Sequence, residues 1–163
     1  MKRLWLACIR AFASVLPCRR IEAEDGQLYL ERFRVFGWMP GSTWKGPSLY
    51  LHRFHLQDQD DAPHNHPWRW AISLVLAGGY VEERLLGVNP DGSAHIDERE
   101  VRPGRLNVLR DTSYHRISWL CGRETWTLFL TGPKATSWGF WVNGRGHIEW
   151  RRRFQERGLP VDG

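Results

Sequence analysis

Asp61-Ala62-Pro63-His64-Asn65-His66-Pro67-Trp68-Arg69-Trp70-Ala71-Ile72-Ser73-Leu74-Val75-Leu76-Ala77-Gly78 is the stretch on which the fold turns. Two histidines at i and i+2 of an extended segment point to the same side, so the imidazoles of His64 and His66 can converge on one ion. The apolar run Ala71–Ala77 reads as a buried strand, and Gly78-Gly79 as the turn that ends it.

Outward from there the text is a succession of short strands. Residues 27–36 and 48–56 precede the quoted stretch, and 80–86, 94–101, 106–109, 115–120, 125–131 and 138–142 follow it. Turn chemistry separates them: Gly37, Pro40-Gly41, Asn89-Pro90-Asp91-Gly92, Pro103-Gly104, Gly132-Pro133 and Asn143-Gly144. Such close and regular turn signals, with no alternation of strand and helix, predict an all-β sandwich or barrel.

In its spacing the chain resembles the cupin superfamily. The first motif of that family has His-x-His, a Glu five residues on, and a Gly seven beyond the Glu that ends a Val-Leu-x-Gly phrase. Here Val75-Leu76-Ala77-Gly78 supplies the phrase in register with His64 and His66, while the Glu position falls on Ala71. The second motif sets a Gly eleven residues before a third His, and Gly104 and His115 keep that spacing with Arg110 and Thr112 in place of its inner Pro and Gly. The resemblance covers about residues 48–131. It implies a single jelly-roll (double-stranded β-helix) barrel over residues 21–150, preceded by a helix in 1–20 and followed by a basic tail in 151–163.

The same resemblance implies a metal site with His64, His66 and His115 as ligands. Three neutral imidazoles leave coordination positions open and suit Fe(II), Zn, Ni, Cu or Mn. A three-His iron centre without a carboxylate is similar to that of thiol dioxygenases, which makes Fe(II) the first expectation and a dioxygenase reaction the implied chemistry. Side chains alternate along the next strand, so one of Glu82 and Glu83 faces inward. Glu82, with the parity of Tyr80, is a candidate fourth ligand or supporting partner, the alternative being a solvated Glu at a strand end. His52 and His55 alternate to opposite faces, and His52 is a candidate hydrogen-bond partner to the centre; His95 and His147 carry no expected role.

Trp68 and Trp70 share parity with the two motif histidines and would flank the ion if one strand continued that far, and the Ser73 hydroxyl would fill space left by the absent Glu. Arg53, Arg69, Arg110 and Arg116 are candidates to hold an anionic substrate, Arg53 in the pocket and Arg110 at its mouth. Tyr114, beside His115, is a candidate acid or orienting donor, and Tyr114 and Arg110 form the expected catalytic pair. The expected function is a metal-dependent cupin enzyme acting on a small molecule, most directly a non-haem Fe(II) oxygenase. Metal-assisted isomerase or lyase chemistry, or a non-catalytic ligand-binding barrel, are the alternatives.

Charge divides the 163-residue chain. Residues 1–20 hold Lys2, Arg3, Arg10, Arg19 and Arg20 and no acid, whereas the remaining 143 residues carry 18 basic and 18 acidic side chains. A neutral body argues against a nucleic-acid binder, and a 42% hydrophobic composition with ten Trp excludes a disordered chain. Leu4, Trp5, Cys8, Phe12, Val15 and Leu16 recur at helical spacing until Pro17 stops them. This basic, one-sided helix suits packing on the body or on a second copy, docking on an anionic membrane surface, or a cleaved signal; it is too short to span a bilayer. Cys8, Cys18 and Cys121 have neither disulfide-framework nor zinc-ribbon spacing, which fits a reducing cytoplasm. Homodimerisation through open sheet edges is a further expectation.

Overall fold

The computed structural model describes residues 2–39 and 41–161. Met1, Pro40 of the expected Pro40-Gly41 turn, and residues 162–163 of the expected tail lie outside the described residues. The chain forms α1 (Lys2–Ala13), then β1 (Cys18–Glu22), β2 (Leu28–Phe36), β3 (Ser48–Phe54), β4 (Trp70–Ala77), β5 (Tyr80–Val88) and β6 (Ala94–Val101). It continues through β7 (Leu106–Arg110), β8 (His115–Leu120), β9 (Thr125–Thr131), β10 (Gly139–Val142), β11 (Gly146–Glu149) and α2 (Trp150–Glu156). The expected strands are present, with β1 and β11 in addition. β1 escaped notice because Cys-Arg-Arg-Ile-Glu at a sheet edge is mostly exposed and shows no apolar alternation.

A six-stranded sheet in the order β1-β2-β3-β9-β4-β7 faces a three-stranded sheet, β6-β5-β8, with β10-β11 as a separate hairpin. This is a jelly-roll sandwich. The sheets do not close on themselves, so the expected barrel is open at its edges. Leu30, Phe54 and Val75 of the large sheet pack against Tyr80, Val101, Ile117 and Leu120 of the small one. The β4–β5 turn depends on glycine: Gly78 has φ +80°, and a Cβ there would lie 2.4 Å from the Glu124 carbonyl oxygen.

α1 covers the outer face of the large sheet. Ile9 and Ala13 are buried on Phe33, Leu51 and Trp126, with Leu6 beside them. The docked stripe is therefore not the one expected from the sequence: Leu4, Trp5, Phe12 and Val15 remain exposed. The tail beyond residue 150 is not loose either. Trp138 stacks on Trp150 with centroids 5.5 Å apart, and Arg153 and Arg157 of the α2 region both bond the Asp60 carboxylate. No helix of the described residues is long and apolar enough to cross a membrane.

Candidate metal centre

His64 and His66 lie in the irregular segment between β3 and β4, where the two prolines Pro63 and Pro67 keep the backbone extended without a full ladder. The segment is nevertheless held on both sides. His64 N donates to His115 O and His115 N returns the bond to His64 O, at 2.8 and 2.9 Å, while Asn65 N donates to Gly139 O and Trp141 N to Pro63 O. The Asn65 side chain adds two clamps, accepting from Gly139 N and donating to Asp111 O. The segment thus acts as a short strand inserted between β8 and β10, and that insertion carries His64 to His115.

The ligand atoms of His64, His66 and His115 lie within 4.8 Å of one another. The Nε2 atoms of His66 and His115 are 2.9 Å apart. For a metal–nitrogen bond of about 2.0–2.1 Å, two ligating nitrogens stand roughly 3 Å apart, so His66 and His115 already have that separation and His64 completes the group within 4.8 Å. Burial holds His64 down to about 4, with the His115 charge adding and Asp58, whose Oδ2 is 3.9 Å from His64 Nδ1, opposing. Burial, then the charge of His115, keeps His66 well below the usual histidine range. Neutral imidazoles are the ligating form, so the donor chemistry fits a divalent transition metal.

Glu82 is neither solvated nor a member of this nitrogen set. It is wholly buried, and its Oε1 accepts from His115 Nδ1 at 2.7 Å and from Asn107 Nδ2 at 2.6 Å, while Oε2 accepts from Arg99 Nε at 2.8 Å. Burial alone would raise its pKa; the His115 bond and charge, Arg84 and Asn107 outweigh it and hold the carboxyl down to about 2. The carboxylate orients the His115 ring so that Nε2 carries the lone pair toward the centre, a support role for the group that sequence reading had weighed as a fourth ligand. Glu83, on the opposite face, pairs with Arg116.

The other expected residues divide into two groups. Trp68 stacks on His66 at 5.5 Å and meets Phe129 edge-on at 5.6 Å, so it walls the centre. His52 is buried and stacks on Phe129 at 5.0 Å. Ser73 is buried on the inner face of β4, in register with Phe129 and Asn107 and close to the Tyr80 hydroxyl.

Trp70, Arg53, Arg110 and Tyr114 are not brought to the centre. The strand that would have carried Trp70 inward breaks between His66 and Trp70, so buried Ala71 and Ser73 take the inner face and Trp70 packs on Gly132 outside it. Arg53 is on the outer face of β3 under α1, paired with Glu31 and Glu124 and stacked over Trp126. The Arg110 side chain is exposed; its backbone N–H donates to Ser113 Oγ and its carbonyl accepts from Ser113 N. Tyr114 turns away from the centre, as alternation from His115 requires. Its hydroxyl is 2.7 Å from His147 Nδ1, and both line a shallow outer hollow of about 280 Å³ with Asn65, Asp111 and Thr112.

Two inward groups were not expected from sequence. Asp58, a loop carboxylate, pins β8 by accepting from Ile117 N at 2.7 Å and also accepts from the Tyr29 hydroxyl. Arg32 occupies one cross-strand row with Arg19, His52 and Thr127. Its Nε donates to His52 Nε2 at 3.2 Å and its guanidinium lies 5.5 Å from the Tyr50 ring centre, yet among the described residues no carboxylate is within ion-pair distance. Its charge adds to the depression of His66. A cation thus stands at one end of an aromatic wall, through Tyr50, Phe129 and Trp68, with the three histidines at the other. Nothing in Leu28–Phe36 distinguished Arg32 from Arg34, since only the register with β3 selects it.

No family model matches the sequence, and no curated protein does. Solved structures do. Oxalate decarboxylase superposes with a TM-score of 0.52 at 12% identity, covering 75% of this chain and 30% of that one. Iron(II) HppE in complex with substrate gives 0.51 at 11% identity, over 73% and 57% of the two chains. HppE with (S)-1-HPP as alternative substrate gives 0.50 at 12%, over 74% and 57%. The chain spans about half the length of HppE and less of the decarboxylase. At these identities the likeness establishes the fold: a cupin-type jelly roll, carrying a three-histidine group able to hold a metal ion.

Proposed function

We propose that the protein is a metal-dependent enzyme acting on a small anionic molecule, as a non-haem Fe(II) oxygenase with His64, His66 and His115 as its protein ligands. The observation that carries this reading is the convergence of three histidine ring nitrogens, one of them on a ring oriented by a buried carboxylate. Iron(II) on the same fold in HppE supports the choice of metal. Bound there, Fe(II) would supply a redox-active Lewis acid with open positions for substrate and O₂.

The chain's own residues do the positioning. Glu82 keeps the proton of His115 on Nδ1. Trp68, Phe129 and Tyr50 exclude water from the inner wall, which strengthens every charge interaction inside it. Arg32 offers an unneutralised guanidinium to a carboxylate or phosphonate on the substrate, and His52 fixes its orientation. The free thiols of Cys8, Cys18 and Cys121 fit a cytoplasmic location.

Metal analysis of anaerobically purified protein tests the centre. Close to one iron per chain is expected, and Ala at any of the three histidines should remove it; protein that takes up no transition metal refutes the reading. Oxygen consumption with a panel of small carboxylates and phosphonates tests the reaction. Turnover without oxygen loss would instead assign a metal-assisted isomerase or lyase.

A further inference from the structure

α1 has two apolar arcs, and only one is buried, the other touching the body through the bond from Trp5 Nε1 to Leu76 O. On a helical wheel Leu6, Ile9 and Ala13 make the stripe docked on the sheet. Leu4, Cys8, Phe12 and Trp5, with Val15 just past the helix, form an adjoining arc of roughly 100°. Leu4 is 72% exposed, Trp5 51%, Phe12 49% and Val15 77%. Isolated exposed apolar residues are ordinary, whereas a contiguous set on one helix face marks an interaction surface.

The charge around this arc selects its partner. Residues 1–20 hold five basic side chains and no acidic one. Arg10 is neutralised by Glu124. Among the described residues Arg3 and Arg20, both exposed, have no carboxylate within ion-pair distance, and Arg20 lies on edge strand β1 in the row of Glu31 and Arg53, on the sheet face that α1 covers. Two copies of such a face would bring like charges together. An anionic lipid surface accepts both components at once, the apolar arc entering the acyl boundary and the guanidinium groups meeting the headgroups. The anchoring stripe is untouched by this, so the helix need not leave the body to bind.

We propose that the exposed arc of α1 docks the protein, in its folded state, on the surface of an anionic bilayer. The inference is independent of the metal centre. The test is co-sedimentation of the full chain with vesicles of phosphatidylcholine containing phosphatidylglycerol, against vesicles of phosphatidylcholine alone. Binding to the anionic vesicles that weakens at high salt is expected. Leu4→Glu with Phe12→Glu should lower the partition at least about tenfold, since each removes a buried apolar side chain. Arg3→Glu with Arg20→Glu, which leaves the apolar arc whole, should lower it on anionic vesicles only. Circular dichroism and iron content monitor folding of each variant and should match the parent. No vesicle binding, binding equal on both lipids, or binding unchanged in properly folded variants overturns the proposal. A concentration-dependent dimer that the Leu4/Phe12 variant abolishes, without vesicle binding, assigns the arc to a second copy instead.

Discussion

The Glu82 carboxylate and the His115 imidazole are joined edge to edge, Oε1 to Nδ1 at 2.7 Å, with the carboxylate fully buried and the ring 7% exposed. This bond fixes which nitrogen of His115 faces its two partners. Glu82→Gln keeps the shape but removes the charge, and its amide can present the wrong atom to Nδ1. Metal affinity should fall about 10- to 100-fold, read by chelator competition, with the three histidines unchanged. An unaltered affinity would show that the ring is held by packing alone. Glu82→Ala should be worse for the fold than for the metal, because Arg99 and Asn107 lose their acceptor in the interior.

Arg32 supplies a sharper test of the substrate class. It has His52 and Tyr50 as neighbours and no described carboxylate, so its removal strands no partner charge. Arg32→Met should therefore leave the unfolding free energy in urea within about 1 kcal/mol of the parent. It should also abolish the thermal stabilisation that carboxylate ligands give the metal-loaded parent. If the variant unfolds, the guanidinium is structural; if carboxylates still stabilise it, the anion binds elsewhere.

The centre was partly legible because its spacing is local. His64-x-His66 and the interval Gly104–His115 are fixed by two turns and two strands, and they survived although Ala71, Arg110 and Thr112 replace family residues. Glu82 was half legible: alternation showed that one of two adjacent acids faces inward, and only the partners Arg99, Asn107 and His115, from three other strands, decide that it is Glu82. Arg32, Asp58 and the loss of Trp70 depend on register and on the break after Pro67, which no period in the sequence records. The expected pair Tyr114 and Arg110 lies away from the centre, Tyr114 because it precedes inward-facing His115 and Arg110 because its side chain leaves the exposed end of β7.

The helix illustrates a different limit. Its two apolar arcs adjoin, so hydrophobic periodicity alone could not say which one docks. Ile9→Ala should cost about 2–4 kcal/mol in urea unfolding, as expected for a buried aliphatic cut back to a methyl. Phe12→Ser should cost less than about 0.5 kcal/mol. Equal costs would mean that both arcs are covered in solution.

Acid should weaken the anchor that holds the tail to the body. Asp60 accepts from Arg153 Nε and Nη2, from Arg157 Nη1 at 2.6 Å and from the Ala62 N–H, which together outweigh burial and hold its carboxyl well below the usual range. Its folded pKa lies below the unfolded value of about 3.9, so between the two the unfolded chain binds a proton that the folded chain does not. The stabilisation is complete above about pH 4 and is lost as pH falls through the folded value. Asp60→Asn should cost about 1–2 kcal/mol at neutral pH, because the amide offers one acceptor oxygen and no charge to two guanidinium groups that keep only Asp61 and Glu24 as further partners. It should also flatten the acid limb of the stability curve. Asp60 opens the loop that carries His64, so the variant should release iron more readily at neutral pH than the parent does, measured by the rate of metal transfer to a chelator. A variant that keeps both the acid limb and the iron would mean that α2 is held by the Trp138–Trp150 stack and not by this carboxylate.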